Sequence, residues 1–355
     1  MDTSRIIRLA IIDDGIRDEA IPVHDRVIIN DETIDTTINN GVGKTHADIC
    51  ASIILAVYSN VELVDIKIIG KNGCGNVSDA VHALDWCKDN CIDVINMSLG
   101  VMDIRMGRRL SAAVDRLVKR DVIIVSSYNN MNIPTWPASN KNVYGVMANR
   151  IDYSPNNTIY KCKHISNAYV VNTIIDNGEY GEPISYANSY ATPCFSAKIC
   201  EIISNDGGHH NNCVVYEWIK RLPEIECDFF CNYAQYYKVG ISLPVIYAES
   251  DIISNVEKEF ASNGYDVLAI NNNELQLYIF RGQEKGFIGF IQEVINPDIL
   301  ILSEKTFLAE DHFYDVMIRK GETKDKVDIM GTQYRKEQLA HVVEIIVNKG
   351  DYILE

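Results

Sequence analysis

Short apolar runs rich in isoleucine and valine alternate with helix-like segments along the N-terminal part of the chain. The runs predict strands and the segments between them predict helices; the strands cover residues 6–12, 61–69, 92–97 and 122–125, and the helices cover residues 47–57, 77–90 and 106–119. Strands that are apolar on both faces and separated by helices are typical of a parallel sheet covered by helices on both sides. The sequence therefore predicts an α/β fold.

The same alternation restarts after residue 235. Strands are predicted at 243–247, 267–270, 275–280 and 299–302, and helices at 251–263, 287–294 and 335–349. All 10 cysteines lie before this point, between Cys50 and Cys231, so composition changes here as well. A chain of 355 residues is also long for a single core. We predict two domains, a larger one over residues 1–234 and an accessory α/β domain over residues 235–355.

Charge and hydropathy exclude two classes of partner. The formal net charge of −16 would repel the phosphate backbone of nucleic acid. No stretch has the 18 or so consecutive apolar residues that a membrane span requires. The apolar run near the start is too short, and too soon followed by Asp13 and Asp14, for a secretory signal peptide. These features predict a cytoplasmic protein whose cysteines stay reduced.

Three polar residues stand where a parallel sheet or a helix start would expose them. Asp13 ends the first predicted strand, His46 begins a predicted helix, and Ser189 lies in a small-residue turn before Pro193. Acyl transfer by a serine requires a nearby base and a carboxylate that orients the base. Taken singly, each residue also fits a structural role: Asp13 in a strand-to-loop turn, His46 as a surface or capping residue, and Ser189 as an N-cap.

Together these segments resemble the aspartate, histidine and serine motifs of the subtilase family, in the same chain order. The similar segments are IIDDG at 11–15, HADICASII at 46–54 and ANSYATP at 187–193. VINMSLG at 94–100 is similar to the family strand that pairs with the substrate backbone, and IIVSSYNN at 123–130 is similar to the segment that carries the oxyanion asparagine. The resemblance covers roughly residues 6–205.

The resemblance implies a three-layer subtilisin-like parallel sheet with helices on both faces, and a peptidase domain within residues 1–234. It implies that Asp13, His46 and Ser189 form the charge relay and that Asn129 donates to the oxyanion. It also implies that Thr135 and Trp136 lie near the floor of the specificity pocket. The full set of implied substrate-binding residues is Ser98, Leu99, Gly100, Ser127, Tyr128, Thr135 and Trp136.

Four residues depart from the family pattern. Ala47 and Asp48 replace a glycine and a threonine after the histidine, Asn188 replaces a threonine before the serine, and Tyr128 replaces a glycine. None of these changes removes a proton-transfer group or the oxyanion donor. We therefore expect a serine endopeptidase acting on a peptide or protein substrate, with narrow specificity, for example removal of the leader from a ribosomally made peptide. The alternative is an inactive relative that binds peptides.

Imidazole and thiolate groups near residue 210 raise the question of a zinc site. The candidates are irregularly spaced, which favours a polar loop followed by a helix with two inward cysteines over a zinc site; they are His209, His210, Cys213, Cys227 and Cys231. No acidic loop has the ordered spacing of a calcium site. We expect no metal and no cofactor.

Overall fold

A computed structural model describes residues 5–30, 33–35, 44–70, 73–131, 133–149, 157–163, 165–172, 187–206, 211–227, 243–271, 274, 284–303, 316–323, 325–339 and 341. The chain divides into two compact units, Met1–Phe229 and Phe230–Glu355. None of the helices in these described ranges is long and apolar enough to cross a bilayer.

The first unit is built on a sheet of ten strands. They are β1 (Ile7–Asp13), β2 (Val23–Asn30), β3 (Thr33–Asp35), β4 (Val61–Lys67), β5 (Val94–Met97), β6 (Ile123–Ser127), β7 (Tyr144–Ala148), β8 (Ile159–Cys162), β9 (Ala168–Val171) and β10 (Glu224–Ile225). Their order across the sheet is β10-β8-β9-β7-β6-β5-β1-β4-β2-β3. All pairs are parallel except β2 with β3 and β8 with β9. The predicted parallel α/β fold is confirmed.

Among the described residues of this unit, five helices accompany the sheet: α1 (His46–Val57), α2 (Val77–Asp89), α3 (Ile104–Val118), α4 (Asn188–Asn205) and α5 (Asn211–Ile219). Helices α1 and α4 pack against each other, as do α2 and α3. Alternate residues of β1, namely Ile7, Leu9 and Ile11, share one buried cluster with apolar side chains of α1 and α4. Because neighbouring strand residues point to opposite faces, the residues between them face the other helix layer. This arrangement explains why β1 has buried apolar residues on both of its faces.

The cysteines differ in part from the expectation that all stay reduced. Cys162, at the end of β8, is joined to Cys227 in a disulfide. The two residues are 65 positions apart: Cys162 is the last residue of β8 and Cys227 lies two residues beyond β10, and these two strands pair in the sheet. Sequence spacing did not indicate this pair because β10 is only two residues long and is not apolar.

The second unit has its own six-stranded sheet. Its strands are β11 (Val245–Ala248), β12 (Val267–Ile270), β13 (Ile299–Ser303), β14 (Val316–Lys320), β15 (Lys326–Ile329) and β16 (Thr332–Arg335), in the order β12-β13-β11-β14-β15-β16. The first four are parallel, and β14, β15 and β16 form an antiparallel meander. Helix α6 (Ile253–Ser262) follows β11, and α7 (Glu284–Phe290) continues into a π-helical turn, Ile291–Ile295.

The sequence predicted most of this second unit but not its meander. Where a helix was expected to begin at residue 335, the structure has the last residue of β16, Arg335, followed by a 3-10 turn, Lys336–Gln338. The strand expected at 275–280, and most of that helix, lie outside the described residues.

Candidate active site

The carboxyl ends of three neighbouring strands, β6, β5 and β1, create the site. In the strand order, the connection after β1 leads toward the edge formed by β2 and β3, and the connection after β5 leads toward the opposite edge. A crevice therefore opens between the carboxyl ends of β1 and β5. Asp13 is the last residue of β1, Ser98 follows β5, and Tyr128 follows β6. These residues line one open cleft of about 380 Å³ together with His46 and Ser189.

His46 is fixed by the way α1 begins. Thr45 is its N-cap and forms a capping box with Asp48: the Thr45 hydroxyl accepts from the Asp48 amide, and the Asp48 carboxylate accepts from the Thr45 amide. Asp14 accepts the amides of His46 and Ala47 at 3.2 and 2.9 Å, so a second carboxylate sits at the positive end of the helix. Asp48, one of the departures from the family pattern, therefore positions the histidine.

Asp13 orients the imidazole. Its Oδ2 lies 2.8 Å from His46 Nδ1, and only 2% of Asp13 is exposed. Burial is the largest single influence and lowers the pKa of His46, but the hydrogen bonds and charge interactions with Asp13 and Cys50 together outweigh it and raise the pKa above its usual 6.5. Because Nδ1 faces a carboxylate, its proton is donated there and Nε2 is left to act as a base.

Ser189 is the second residue of α4 and shares the cleft with His46. Its backbone carbonyl accepts a hydrogen bond of 2.8 Å from Ser98 Oγ, which ties the start of α4 to the segment after β5. Within the described residues, no hydrogen bond joins Ser189 Oγ to the imidazole. Hydrogen bonds of this kind are often loose in unliganded enzymes and tighten when substrate is bound.

Two residues beside His46 were missed by sequence reasoning. Cys50, one turn further along α1, places its sulfur 3.7 Å from His46 Nδ1 and 3.6 Å from Ser98 Oγ. Burial raises the pKa of this thiol, so it stays protonated. The Tyr190 ring lies over the imidazole with 5.0 Å between centroids. The spacing of four residues from His46 to Cys50 could have indicated the first contact.

The two adjacent asparagines after β6 have different surroundings. Asn129 Oδ1 accepts the amides of Met131 and Ile133, and its Nδ2 donates to the sulfur of Met102 at 3.1 Å. The Asn129 side chain thus stabilises the loop that follows it.

Asn130 instead faces the start of α4. Its Oδ1 accepts the amide of Asn188, the residue before Ser189, at 2.9 Å. Asn188 also donates from Nδ2 to the Asn129 carbonyl at 2.6 Å and accepts the Ala148 amide at 2.9 Å. Asn130 is therefore directed at the residue before Ser189, whereas the side chain of Asn129, the expected oxyanion donor, contacts Met102 and its own loop; both asparagines line the cleft.

The cleft brings together all the expected substrate-binding residues except one. Those that line it are Ser98, Leu99, Gly100, Ser127, Tyr128 and Thr135. Trp136 was expected near the floor, but its ring is buried against helix α3: a Cβ added to Gly107 would lie 2.4 Å from Trp136 Cγ. Tyr128 likewise packs its ring against Gly145, where an added Cβ would lie 2.4 Å away. The tyrosine that replaces the family glycine therefore enters the protein interior.

The metal-ligating side chains that cluster among the described residues are Asp13, His46 and Cys50, which coincide with the histidine site itself. Of the zinc candidates, Cys227 is in the disulfide and Cys213 is an exposed free thiol on α5. His209, His210 and Cys231 lie outside the described residues.

Comparison with known proteins identifies the family of residues 5–212. The Subtilase family model matches residues 5–212. Subtilisin DY of Bacillus licheniformis is 30% identical over 156 residues, which are 40% of this chain and 56% of that protein. An alkaline protease of Alkalihalobacillus alcalophilus is 30% identical over 113 residues, 31% of this chain and 27% of that protein. The chain thus spans 56% or less of the length of these two relatives.

Solved structures with a similar backbone include the nisin leader peptidase NisP of Lactococcus lactis. It is 16% identical with a TM-score of 0.48, and the match covers 62% of this chain and 84% of that one. A cold adapted subtilisin-like serine proteinase is 19% identical with a TM-score of 0.45, covering 64% and 86% of the two chains.

Proposed function

This chain belongs to the subtilase family, and from that premise we propose that it is a serine endopeptidase that hydrolyses peptide bonds through Asp13, His46 and Ser189. The observation that carries the proposal is the 2.8 Å contact between Asp13 Oδ2 and His46 Nδ1 in the cleft that also contains Ser189. A histidine oriented by a buried carboxylate next to a serine at a helix start is the arrangement that acyl transfer requires.

The reaction follows the roles of these groups. Ser189 Oγ attacks the peptide carbonyl while His46 Nε2 takes its proton, and the carbonyl oxygen becomes an oxyanion. Collapse of this intermediate breaks the C–N bond, and His46 gives the proton to the departing amine. Water then hydrolyses the acyl-enzyme by the same path, with Asp13 holding the imidazole throughout.

Asn130 supplies the side-chain donor to the oxyanion, together with the Ser189 backbone amide. The support is the hydrogen bond from the Asn188 amide to Asn130 Oδ1, which fixes the Asn130 side chain beside the first turn of α4. A donor fixed before the reaction needs no reorganisation as charge develops on the substrate oxygen.

Labelling with a fluorophosphonate tests the proposal, because these probes modify only an activated serine. Wild-type protein should be labelled stoichiometrically and Ser189→Ala should not be labelled. Absence of labelling in the folded wild type would favour the alternative, an inactive relative that binds peptides. Labelling that persists in Ser189→Ala would place the nucleophile elsewhere.

The substrate range is narrow in our proposal, and removal of a leader from a ribosomally made peptide is the role we favour. The support is the accessory domain at about residues 235–355, beyond the 5–212 match, which offers a surface for substrate away from the scissile bond. A chain ending near residue 234 should cleave a generic short peptide but lose its natural substrate. Full activity on the natural substrate would remove the accessory domain from recognition.

A cytoplasmic location is a separate proposal. Its support is the seven free cysteines among the described residues, since thiols stay reduced mainly in reducing compartments. The Cys162–Cys227 disulfide points the other way, because such bonds persist mainly in oxidising compartments. Cell fractionation combined with thiol counting decides between them: a cytoplasmic protein should carry both thiols reduced.

A further inference from the structure

Two segments form the walls of the cleft beside Ser189, and both are fixed in position. Residues 98–100 are tied to α4 by the Ser98 hydroxyl and to β6 by the Ser126 hydroxyl, which donates to the Leu99 carbonyl. The opposite wall is the end of β6, Ser127 and Tyr128. A substrate side chain that enters beside the nucleophile passes between these two walls.

A short backbone pairing closes the far end of this space. Val101 and Trp136 form an antiparallel bridge with two hydrogen bonds, 2.9 Å from the Val101 amide and 2.8 Å from the Trp136 amide. This bridge holds Thr135, the residue before Trp136, directly against Gly100. A Cβ built on Gly100 would lie 2.4 Å from Thr135 Cγ2. The methyl group of Thr135 therefore fills the space that Gly100 leaves open.

The rotamer of Thr135 is determined by its hydroxyl. Oγ1 donates to the Ile133 carbonyl at 2.8 Å and accepts the Asn129 amide at 3.1 Å. Thr135 is 3% exposed, and its own amide donates to Ser139 Oγ. A β-branched side chain with its hydroxyl fixed in this way cannot turn its methyl aside without losing both hydrogen bonds.

From this geometry we infer that Thr135 restricts the residue before the scissile bond to a small side chain, namely glycine, alanine or serine. The inference rests on the proposed peptide hydrolysis at Ser189 and names the substrate class of that site. A larger side chain has to displace either the Thr135 methyl, whose rotamer is held by the hydroxyl, or the Gly100 backbone, which lies between the hydrogen-bonded Leu99 and Val101. Peptides with leucine or phenylalanine at this position are therefore poor substrates.

Fluorogenic peptides that differ only in the residue before the scissile bond test the inference on the full-length protein. Wild type should cleave the alanine peptide with a kcat/KM at least about 100-fold above that of the leucine and phenylalanine peptides, since in an apolar pocket a single methylene is worth about 10–200-fold. A comparable rate on the leucine or phenylalanine peptide would overturn the inference without any variant.

Thr135→Ser is the sharpest variant, because it deletes the methyl and keeps Oγ1 with both of its hydrogen bonds. The ratio of kcat/KM for the alanine peptide to that for the valine peptide should fall about tenfold. Thr135→Val is the matched control: it keeps the volume, removes the hydroxyl and should leave this ratio as in wild type. An unchanged ratio in a folded Thr135→Ser protein would assign the restriction to another group.

Fluorophosphonate labelling of Ser189 distinguishes failure of the restriction by Thr135 from failure of the proposed hydrolysis. A wild type that is labelled but shows no size preference overturns only the restriction by Thr135. A wild type that is neither labelled nor active on any of the peptides overturns the proposed hydrolysis, and the restriction with it.

Discussion

Replacing Asn129 or Asn130 with aspartate tests which of the two asparagines stabilises the oxyanion. An aspartate at either position keeps the Oδ1 acceptor and replaces the Nδ2 donor with a second carboxylate oxygen. In Asn130→Asp, the Asn188 amide keeps its acceptor. In Asn129→Asp, the Met131 and Ile133 amides keep theirs. The two variants add the same charge to the same cleft, so each serves as the control for the other.

The expected effect differs because only one of the two side chains is directed at the start of α4. Loss of a single oxyanion donor costs about 10²–10³ in kcat, or about 2.7–4 kcal/mol of transition-state stabilisation. Asn130→Asp should lose at least this much, with KM little changed, since the donor acts in the transition state. Asn129→Asp loses a hydrogen bond to the Met102 sulfur, a weak acceptor, and should lose far less.

Steady-state kinetics on a short peptide, with active sites counted by fluorophosphonate titration, measures both variants. Circular dichroism and thermal unfolding should show that each remains folded. A larger loss of kcat in Asn129→Asp than in Asn130→Asp would refute the reasoning and restore Asn129 as the donor. Equal losses would show that the added charge, rather than the missing donor, determines the rate.

Three further predictions concern pH and packing. The Asp13 carboxylate raises the pKa of His46, and the neutral imidazole is the active form, so wild-type activity should rise with pH above 6.5. In Asp13→Asn, the rise in activity should move to lower pH and kcat should fall by about 10⁴-fold. Burial raises the pKa of Asp65 to about 7 from 3.8, so the stability that protonated Asp65 contributes is lost as pH rises through that range. Asparagine does not titrate, so the Tm of Asp65→Asn minus the Tm of wild type should increase from pH 5 to pH 8. A constant difference would contradict the shift. Gly107→Ala places a Cβ 2.4 Å from Trp136 Cγ and should lower the free energy of unfolding by about 1–3 kcal/mol in urea titrations; an unchanged midpoint would show that Trp136 moves freely.

The parallel sheet could be predicted from the sequence because its strands are buried on both faces. Runs such as residues 6–12 are apolar except for Arg8, and this pattern distinguishes them from half-exposed strands. The strands of the second unit's meander were missed for the opposite reason: β15 and β16 are short and partly exposed, and their turn depends on positive φ at Met330 and Gly331. Such a turn has no strong signal when a methionine occupies one of its positions.

The sequence predicted which segments form the site, but not the direction of every side chain in them. Motif order located Asp13, His46 and Ser189 and placed the oxyanion role on Asn129, whereas our proposal of Asn130 depends on a contact with Asn188, 58 positions away. The same limit applies to Trp136. The position of Trp136 in the sequence suggested the specificity pocket, whereas Gly107, against which its ring packs, lies in helix α3. Side-chain direction depends on such distant partners, and local sequence does not encode it.

The wide spacing of the site residues along the chain affects when the site can form during synthesis. Asp13 and His46 emerge early from the ribosome, but the contact that fixes the start of α4 joins Ser98 to Ser189 across 91 positions. Pairing over such separations is slow, and it cannot begin until the later partner has been made. The nascent chain therefore carries Asp13 and His46 for more than 140 residues of elongation before Ser189 is made, so the three residues of the proposed charge relay cannot assemble until most of the first unit has been synthesised.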